Sequence, residues 1–217
     1  LLDLSHLGLI RVSGEDAENF LQGQLSNDVR EVSGSHFQMS SYCTPKGRML
    51  ETFLVLRYAG DYLLQLPQEL IPAIFKRLSM FVMMSKVQIG DASDQLVRVG
   101  IAGDCAETLL KQHFTALPAT AGDAVENDGA ILLRLASEHP RFEIVSDAPA
   151  MIALWPKLAG DAQIANADWW SLLDVRAGIP TIHTDTVEAF VPQMVNLQLL
   201  DGVSFTKGCY TGQEVIA

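Results

Sequence analysis

Strand-length apolar runs separated by short turns, alternating with helical stripes, predict an α+β protein with largely antiparallel sheets. Met49–Arg57 and Tyr62–Leu66 are runs of the first kind, split only by Ala59-Gly60-Asp61. Leu70, Ile74, Leu78 and Phe81 recur at helical spacing and form a stripe of the second kind. With 217 residues, 48% hydrophobic and 19% charged, the chain can bury a proper core in one large domain or two small ones.

Leu7 to Val12 reads as the first strand. Ser13 then stands where it would cap a helix, with Asp16 at the reciprocal position of a capping box. Ala17, Phe20, Leu21 and Leu25 fall on one helical face, and Gln22, Gln24, Asn27 and Asp28 read as its solvated side. Strands are expected at His36–Tyr42 and Met49–Arg57, joined by the Thr44-Pro45-Lys46-Gly47-Arg48 turn. A helix from Glu69 to Met83 follows the Tyr62–Leu66 strand, and the methionines at 80, 83, 84 and 151 read as gap-filling core. Short strands at Lys86–Ile89 and Leu96–Ile101 precede a helix from Asp104 to Phe114. Gly122 to Gly129 is polar and acidic and reads as a linker. Ile131–Leu135 and Phe142–Val145 form a hairpin across Glu138-His139-Pro140. Helices at Ala148–Leu158 and Asp168–Arg176 complete the pattern, the second stopped by Gly178 and Pro180.

Composition narrows the function. The formal net charge is −11, and Lys and Arg are scattered with no run of three, so direct, general binding to nucleic acid is not expected. Apolar runs such as Phe53–Leu56 and Met80–Met84 are too short to span a bilayer, and no secretory signal opens the chain. The sequence starts at Leu1 rather than Met, so further residues are expected upstream. Cys43, Cys105 and Cys209 lie far apart, which fits a reducing cytoplasm rather than a disulfide framework. Cys43 reads as a strand-end residue and Cys105 as helix core. His6, His36, His113, His139 and His183 share no ligand spacing, and no metal site is expected.

The most informative stretch is Lys207-Gly208-Cys209-Tyr210-Thr211-Gly212-Gln213-Glu214. Its two glycines permit tight turns and close backbone approach, and a thiol, a phenol, a cation and a carboxylate sit around them. By composition alone it is either a ligand site or a polar turn between strands. Ahead of it come Ala177-Gly178-Ile179-Pro180, then Pro192-Gln193 with Asn196-Leu197. Near the other end lie Val12-Ser13-Gly14-Glu15-Asp16-Ala17 and Phe20-Leu21-Gln22-Gly23-Gln24-Leu25-Ser26-Asn27-Asp28, with the basic turn Lys46-Gly47-Arg48 beyond.

This ordered set, with Val215-Ile216-Ala217 behind it, resembles the YgfZ family of folate-binding proteins, relatives of the glycine cleavage T-protein (aminomethyltransferase). The resemblance spans essentially the whole chain. It implies an α+β fold like that of the T-protein: two intertwined ferredoxin-like units around a central folate cavity, normally followed by a C-terminal β-barrel. That barrel is expected to be missing from a chain ending at Ala217. Residues 1–35 and 122–217 are expected to form a discontinuous folate-binding domain, with 36–121 inserted as a second α+β domain.

The implied ligand is tetrahydrofolate or a one-carbon derivative, and the residues carried over for it are Asn27, Asp28, Trp170, Arg176, Gln193, Asn196, Tyr210, Gln213 and Glu214. Trp170 is either a flat face for the pterin or a core tryptophan, since only one of Trp169 and Trp170 can point inward. Leu7 stands where some relatives carry an opposing aromatic. Arg176 replaces a carboxylate that holds the pterin in T-proteins; as a donor-only group it reaches a pterin carbonyl, or pairs with Asp174 or Glu214. The T-protein's paired aspartates are replaced by Glu51 and Thr52, which argues against glycine-cleavage chemistry. Cys209 is the candidate for chemistry, with Lys207 expected nearby to favour its thiolate; the other reading is a small buried hydrophobe. The resemblance thus implies a cytoplasmic accessory protein that binds folate and supports an iron–sulfur client enzyme, and through it the methylthiolation of tRNA. A folate-dependent one-carbon (aminomethyl-type) transferase is the alternative. An interaction module that has lost folate binding is the third reading.

Overall fold

In the computed structural model, which describes residues 1–83, 85–127 and 129–216, the strands form two five-stranded sheets. In chain order they are β1 (Leu2–Asp3), β2 (Leu7–Ser13), β3 (Gln38–Cys43), β4 (Met49–Tyr58), β5 (Asp61–Pro67), β6 (Gln88–Asp91), β7 (Leu96–Ala102), β8 (Ala124–Asn127), β9 (Ala130–Arg134) and β10 (Arg141–Asp147). The α-helices are α1 (Ala17–Gln24), α2 (Ile71–Ser79), α3 (Ala106–Leu110), α4 (Ala148–Asp161), α5 (Ala167–Ala177) and α6 (Gln213–Ile216).

The first unit comprises Leu1–Leu7, Gly34–His36 and Ser93–Ile179. Its sheet is antiparallel throughout, in the order β1-β7-β10-β9-β8. Because side chains alternate across a strand, Val99 and Ile101 share one face with Phe142 and Ile144, and this face packs with Leu109, Leu110, Met151 and Leu158 from the helices. The other face carries Gly100, opposite Glu143, and Arg141, opposite Ala102. Trp170 of α5 covers it: a Cβ on Gly100 would stand only 2.5 Å from the indole. Helix α5 stops where Gly178 turns left-handed (φ 70) and Ile179 N–H bonds back to the Asp174 carbonyl at 2.9 Å.

The second unit comprises Gly8–Ser33, Phe37–Ala92 and Pro180–Ala217, with its sheet in the order β3-β4-β5-β2-β6. The β4–β5 hairpin closes through Ala59 (φ 50) and Gly60 (φ 89), the paired left-handed residues that match strand twist. Phe20 and Leu21 of α1 and Ile74 and Leu78 of α2 join Met49, Phe53, Val55 and Leu64 of the sheet in one core.

Several expected boundaries move. The units are not 1–35 plus 122–217 and 36–121, because β7 pairs with β1 and β10 rather than with β3 to β6. The expected linker is a strand: Ala124–Asn127 pairs in register with Ala130–Leu133. Asp128 within it, like Met84 and Ala217, lies outside the described residues. Ser13 does not cap α1; Asp16 is the N-cap, and its carboxylate accepts from Lys86 N–H at 2.7 Å instead. The helix expected to reach Met83 ends at Ser79, leaving Met80, Phe81 and Met83 exposed, whereas Met151 is core. Cys105 is exposed at the start of α3, and Cys43 is buried at its strand end.

Gly100→Ala drives a methyl into the Trp170 ring. Urea unfolding of the chain should show a loss of about 1–3 kcal/mol, the range of overpacked cores.

Candidate functional site

The polar stretch Lys207–Glu214 docks onto two earlier turns of the second unit. Gly212, at φ 87, lies so close to the Thr44–Arg48 turn that a Cβ would stand 2.6 Å from the Thr44 carbonyl oxygen. Gly47, at φ 70, meets Val215 as tightly, its Cβ position 2.8 Å from the valine Cβ. Both glycines are therefore required twice over, by backbone conformation and by space. Thr211 N–H also bonds to the Gly23 carbonyl at 3.3 Å, at the end of α1.

Lys207 is the centre of this arrangement. Only 6% of it is exposed, and its ammonium donates to the Leu25 carbonyl at 2.6 Å and the Asn27 carbonyl at 2.8 Å. It also lies 5.0 Å from the centre of the Tyr210 ring. Burial pulls its pKa down to about 8. The charge is held by backbone carbonyls, not left to a Cys209 thiolate; Cys209 itself is exposed. Tyr210 is buried, and its hydroxyl has no hydrogen-bond partner among the described residues. Burial raises its pKa to about 12.

Asn27 and Asp28, expected on a solvated helix face, are built into the fold. Asn27 is buried; its amide nitrogen donates to the Met39 carbonyl at 3.0 Å and to the Asp201 carbonyl, and its oxygen accepts from Asp28 N–H at 2.9 Å. Asp28 accepts from Arg30 Nε at 2.8 Å and Gln22 Nε2 at 3.0 Å, and Arg30 holds its carboxyl down to about 2. Beside them Ser26 Oγ, fully buried, donates to the Gly202 carbonyl at 2.7 Å and accepts from Ser41 N–H at 2.8 Å. Gln193 donates to the Val215 and Ile216 carbonyls at 3.2 and 2.6 Å, fastening α6. Asn196 and Glu214 are exposed and Gln213 is half-buried.

Trp170 and Arg176 belong to the first unit. Trp170 is 2% exposed, with the Arg141 guanidinium 3.8 Å from its ring centre, so neither of the faces expected for stacking is freely open. Arg176 is exposed on α5 and makes no ion pair among the described residues; Asp174 pairs instead with Arg141 at 2.7 Å. Arg141 is fully buried, and its Nε and Nη1 have no partner among the described residues. Its burial has no local signal, because Arg141-Phe142-Glu143-Ile144 alternates as a strand with one wet face would.

Glu51 is the other buried group. It is fully buried on β4, opposite Tyr42 of β3, accepting from Thr52 N–H at 2.8 Å, while its Oε2 has no partner among the described residues. Burial raises its pKa to about 9, so it is neutral at physiological pH. The adjoining Thr52 hydroxyl bonds to the Pro180 carbonyl at 2.9 Å. Among the described residues no three His, Cys, Asp or Glu side chains come together to hold a metal, and no helix is long and apolar enough to cross a membrane.

Residues 1–127 match the family model described as the GCVT N-terminal domain. The whole chain aligns at 34% identity with the tRNA-modifying protein YgfZ of Colwellia psychrerythraea and at 37% with that of Klebsiella pneumoniae, covering 66% of each. The YgfZ protein of Hamiltonella defensa aligns with 99% of the chain at 37% identity, 64% of its own length being covered. The chain thus spans a little under two thirds of the length of these relatives. Among solved structures, the glycine cleavage aminomethyltransferase T of Bartonella henselae superposes with a TM-score of 0.76 at 19% identity, over 98% of this chain and 60% of that one. A heterotetrameric sarcosine oxidase from Corynebacterium follows at 0.51 and 15% identity, over 75% of this chain and 86% of that one.

A folded state that keeps a proton on Glu51 up to about 9, against 4.5 normally, loses stability as pH rises through that window; the contribution is full below it. Glu51→Gln should flatten this fall and raise stability at about pH 8 by on the order of 2 kcal/mol, read by thermal melting across pH.

Proposed function

This chain belongs to the GCVT N-terminal domain family and groups with its YgfZ members, and we propose that it is the folate-binding part of a tRNA-modifying protein of that kind. In this reading it binds tetrahydrofolate or a one-carbon derivative in the cytoplasm and supports an iron–sulfur client enzyme, which in turn methylthiolates tRNA. The observation that carries it is the seating of Lys207–Ile216 against the 23–28 and 44–48 turns, which brings together the segments aligned with the tRNA-modifying relatives.

The second unit offers a donor of the kind a folate needs. A pterin ring edge needs donors for its carbonyl and ring nitrogens, and a buried donor without a partner is a group such a ligand would satisfy. In the second unit the Tyr210 hydroxyl is such a donor among the described residues. Asn27, Asp28 and Gln193 already have their hydrogen bonds within the protein and act as supports. Cys209, exposed in the turn after Lys207, remains the group in this reading that could take part in chemistry. The −11 charge favours an indirect link to tRNA over direct contact with its phosphates.

Calorimetric titration of the full-length protein with tetrahydrofolate should give saturable binding in the micromolar range, weakened about tenfold by Tyr210→Phe through loss of one buried hydrogen bond. Absence of folate binding to the full-length protein would overturn the reading. Turnover of methylene-tetrahydrofolate by the protein alone would favour the one-carbon transferase.

A further inference from the structure

We propose that the cavity between the β2–α1 turn and the β4–β5 hairpin binds a free α-amino acid, held by its two opposite charges. The inference stands apart from the folate reading: the cavity lies wholly within the second unit and uses none of the residues given to folate. Its volume is about 260 Å³, below the roughly 300–1,000 Å³ of pockets for drug-sized ligands, so its occupant is small.

Three side chains give the cavity its character. Tyr62 of β5, only 2% exposed, is a fixed part of its wall. The half-buried Arg57 at the end of β4 places its guanidinium 4.2 Å from the centre of that ring. The Tyr62 hydroxyl donates to Glu18 Oε2 of α1 at 3.0 Å. The phenol thus ties a cation and a carboxylate into one wall while keeping them out of ion-pair distance of each other. Among the described residues neither charge has an opposite partner: Arg57 forms no ion pair, and Glu18 accepts from a neutral phenol. The other carboxylate on the lining, Glu15, is neutralised by Lys86 at 2.6 Å. Val12 and Ala17, both buried, add an apolar surface beside them.

Charge chooses the ligand. An anion would gain Arg57 but meet Glu18, on a protein already at −11, and a cation would gain Glu18 but meet Arg57. A small zwitterion satisfies both. Its carboxylate accepts from the guanidinium, its ammonium donates to Glu18, and its side chain lies against Val12 and Ala17.

The test is saturation-transfer NMR of the full-length protein with each of the common free amino acids, titrated to about 10 mM. At least one should bind saturably, and its amide and its N-acetyl derivative, each lacking one charge, should bind about tenfold more weakly. Arg57→Gln should abolish the difference between acid and amide, and Arg57→Lys should retain part of it. Glu18→Gln should abolish the difference between free amine and N-acetyl form; it keeps an acceptor for the Tyr62 hydroxyl, so the melting temperature should not move. No binding by any free amino acid, charge-blocked derivatives that bind as well as the parent, or an acid–amide difference unchanged in Arg57→Gln would each overturn the proposal.

Discussion

An ammonium group leaves water only where other oxygens replace its hydration, and Lys207 shows how this fold provides them. Helix α1 has no basic residue in its last turn, and at Leu25 the chain leaves it in an extended conformation. The carbonyls of Leu25 and Asn27 are turned to Lys207, more than 150 residues later in the chain, which supplies the cation that a helix C-terminus favours. The bond joins distant stretches of sequence, and much else follows from it. Ser204 N–H reaches the Ser26 carbonyl, Asn27 reaches Asp201, and Ser26 reaches Gly202. Gly212 and Gly47 let the next turn lie flat on the β3–β4 connection.

This explains the density of polar groups in the terminal stretch without assigning each one to chemistry. Lys207 and Gly212 are required by packing, and Gln193 is required to hold α6. What packing leaves unexplained is narrower: the exposed Cys209 and the partnerless Tyr210 hydroxyl in the second unit, and the two unmatched donors of Arg141 in the first. Glu51 is of a different kind. Its carboxyl is fully buried on β4 and held neutral, which suits a core group better than a base.

Much of the fold was legible because its signals were local. The β4–β5 hairpin follows from a two-residue turn between apolar runs, and the end of α5 from Gly178. The misreadings came where partners distant in sequence decided the outcome. Gly122–Gly129 has the composition of a linker, but pairing with β9 makes it a strand. Asn27 looks like a solvated residue until Met39 and Asp201 close over it. Arg141 and Glu143 alternate with apolar residues as a surface strand would, yet both are buried, Arg141 under Trp170 and Asp174 of α5. The terminal motif announced itself by residue type and family resemblance. That its lysine faces inward was not legible, since neither charge nor spacing encodes which carbonyls it meets.

Lysine side-chain NMR of the intact protein, with Lys207→Arg to assign the signal, tests this account most directly. The account predicts that the Lys207 ammonium titrates near 8, far below the ordinary 10.5, and exchanges its protons slowly. A midpoint at 10.5 with fast exchange would mean a solvated lysine, and would contradict the buried link between the terminal motif and α1.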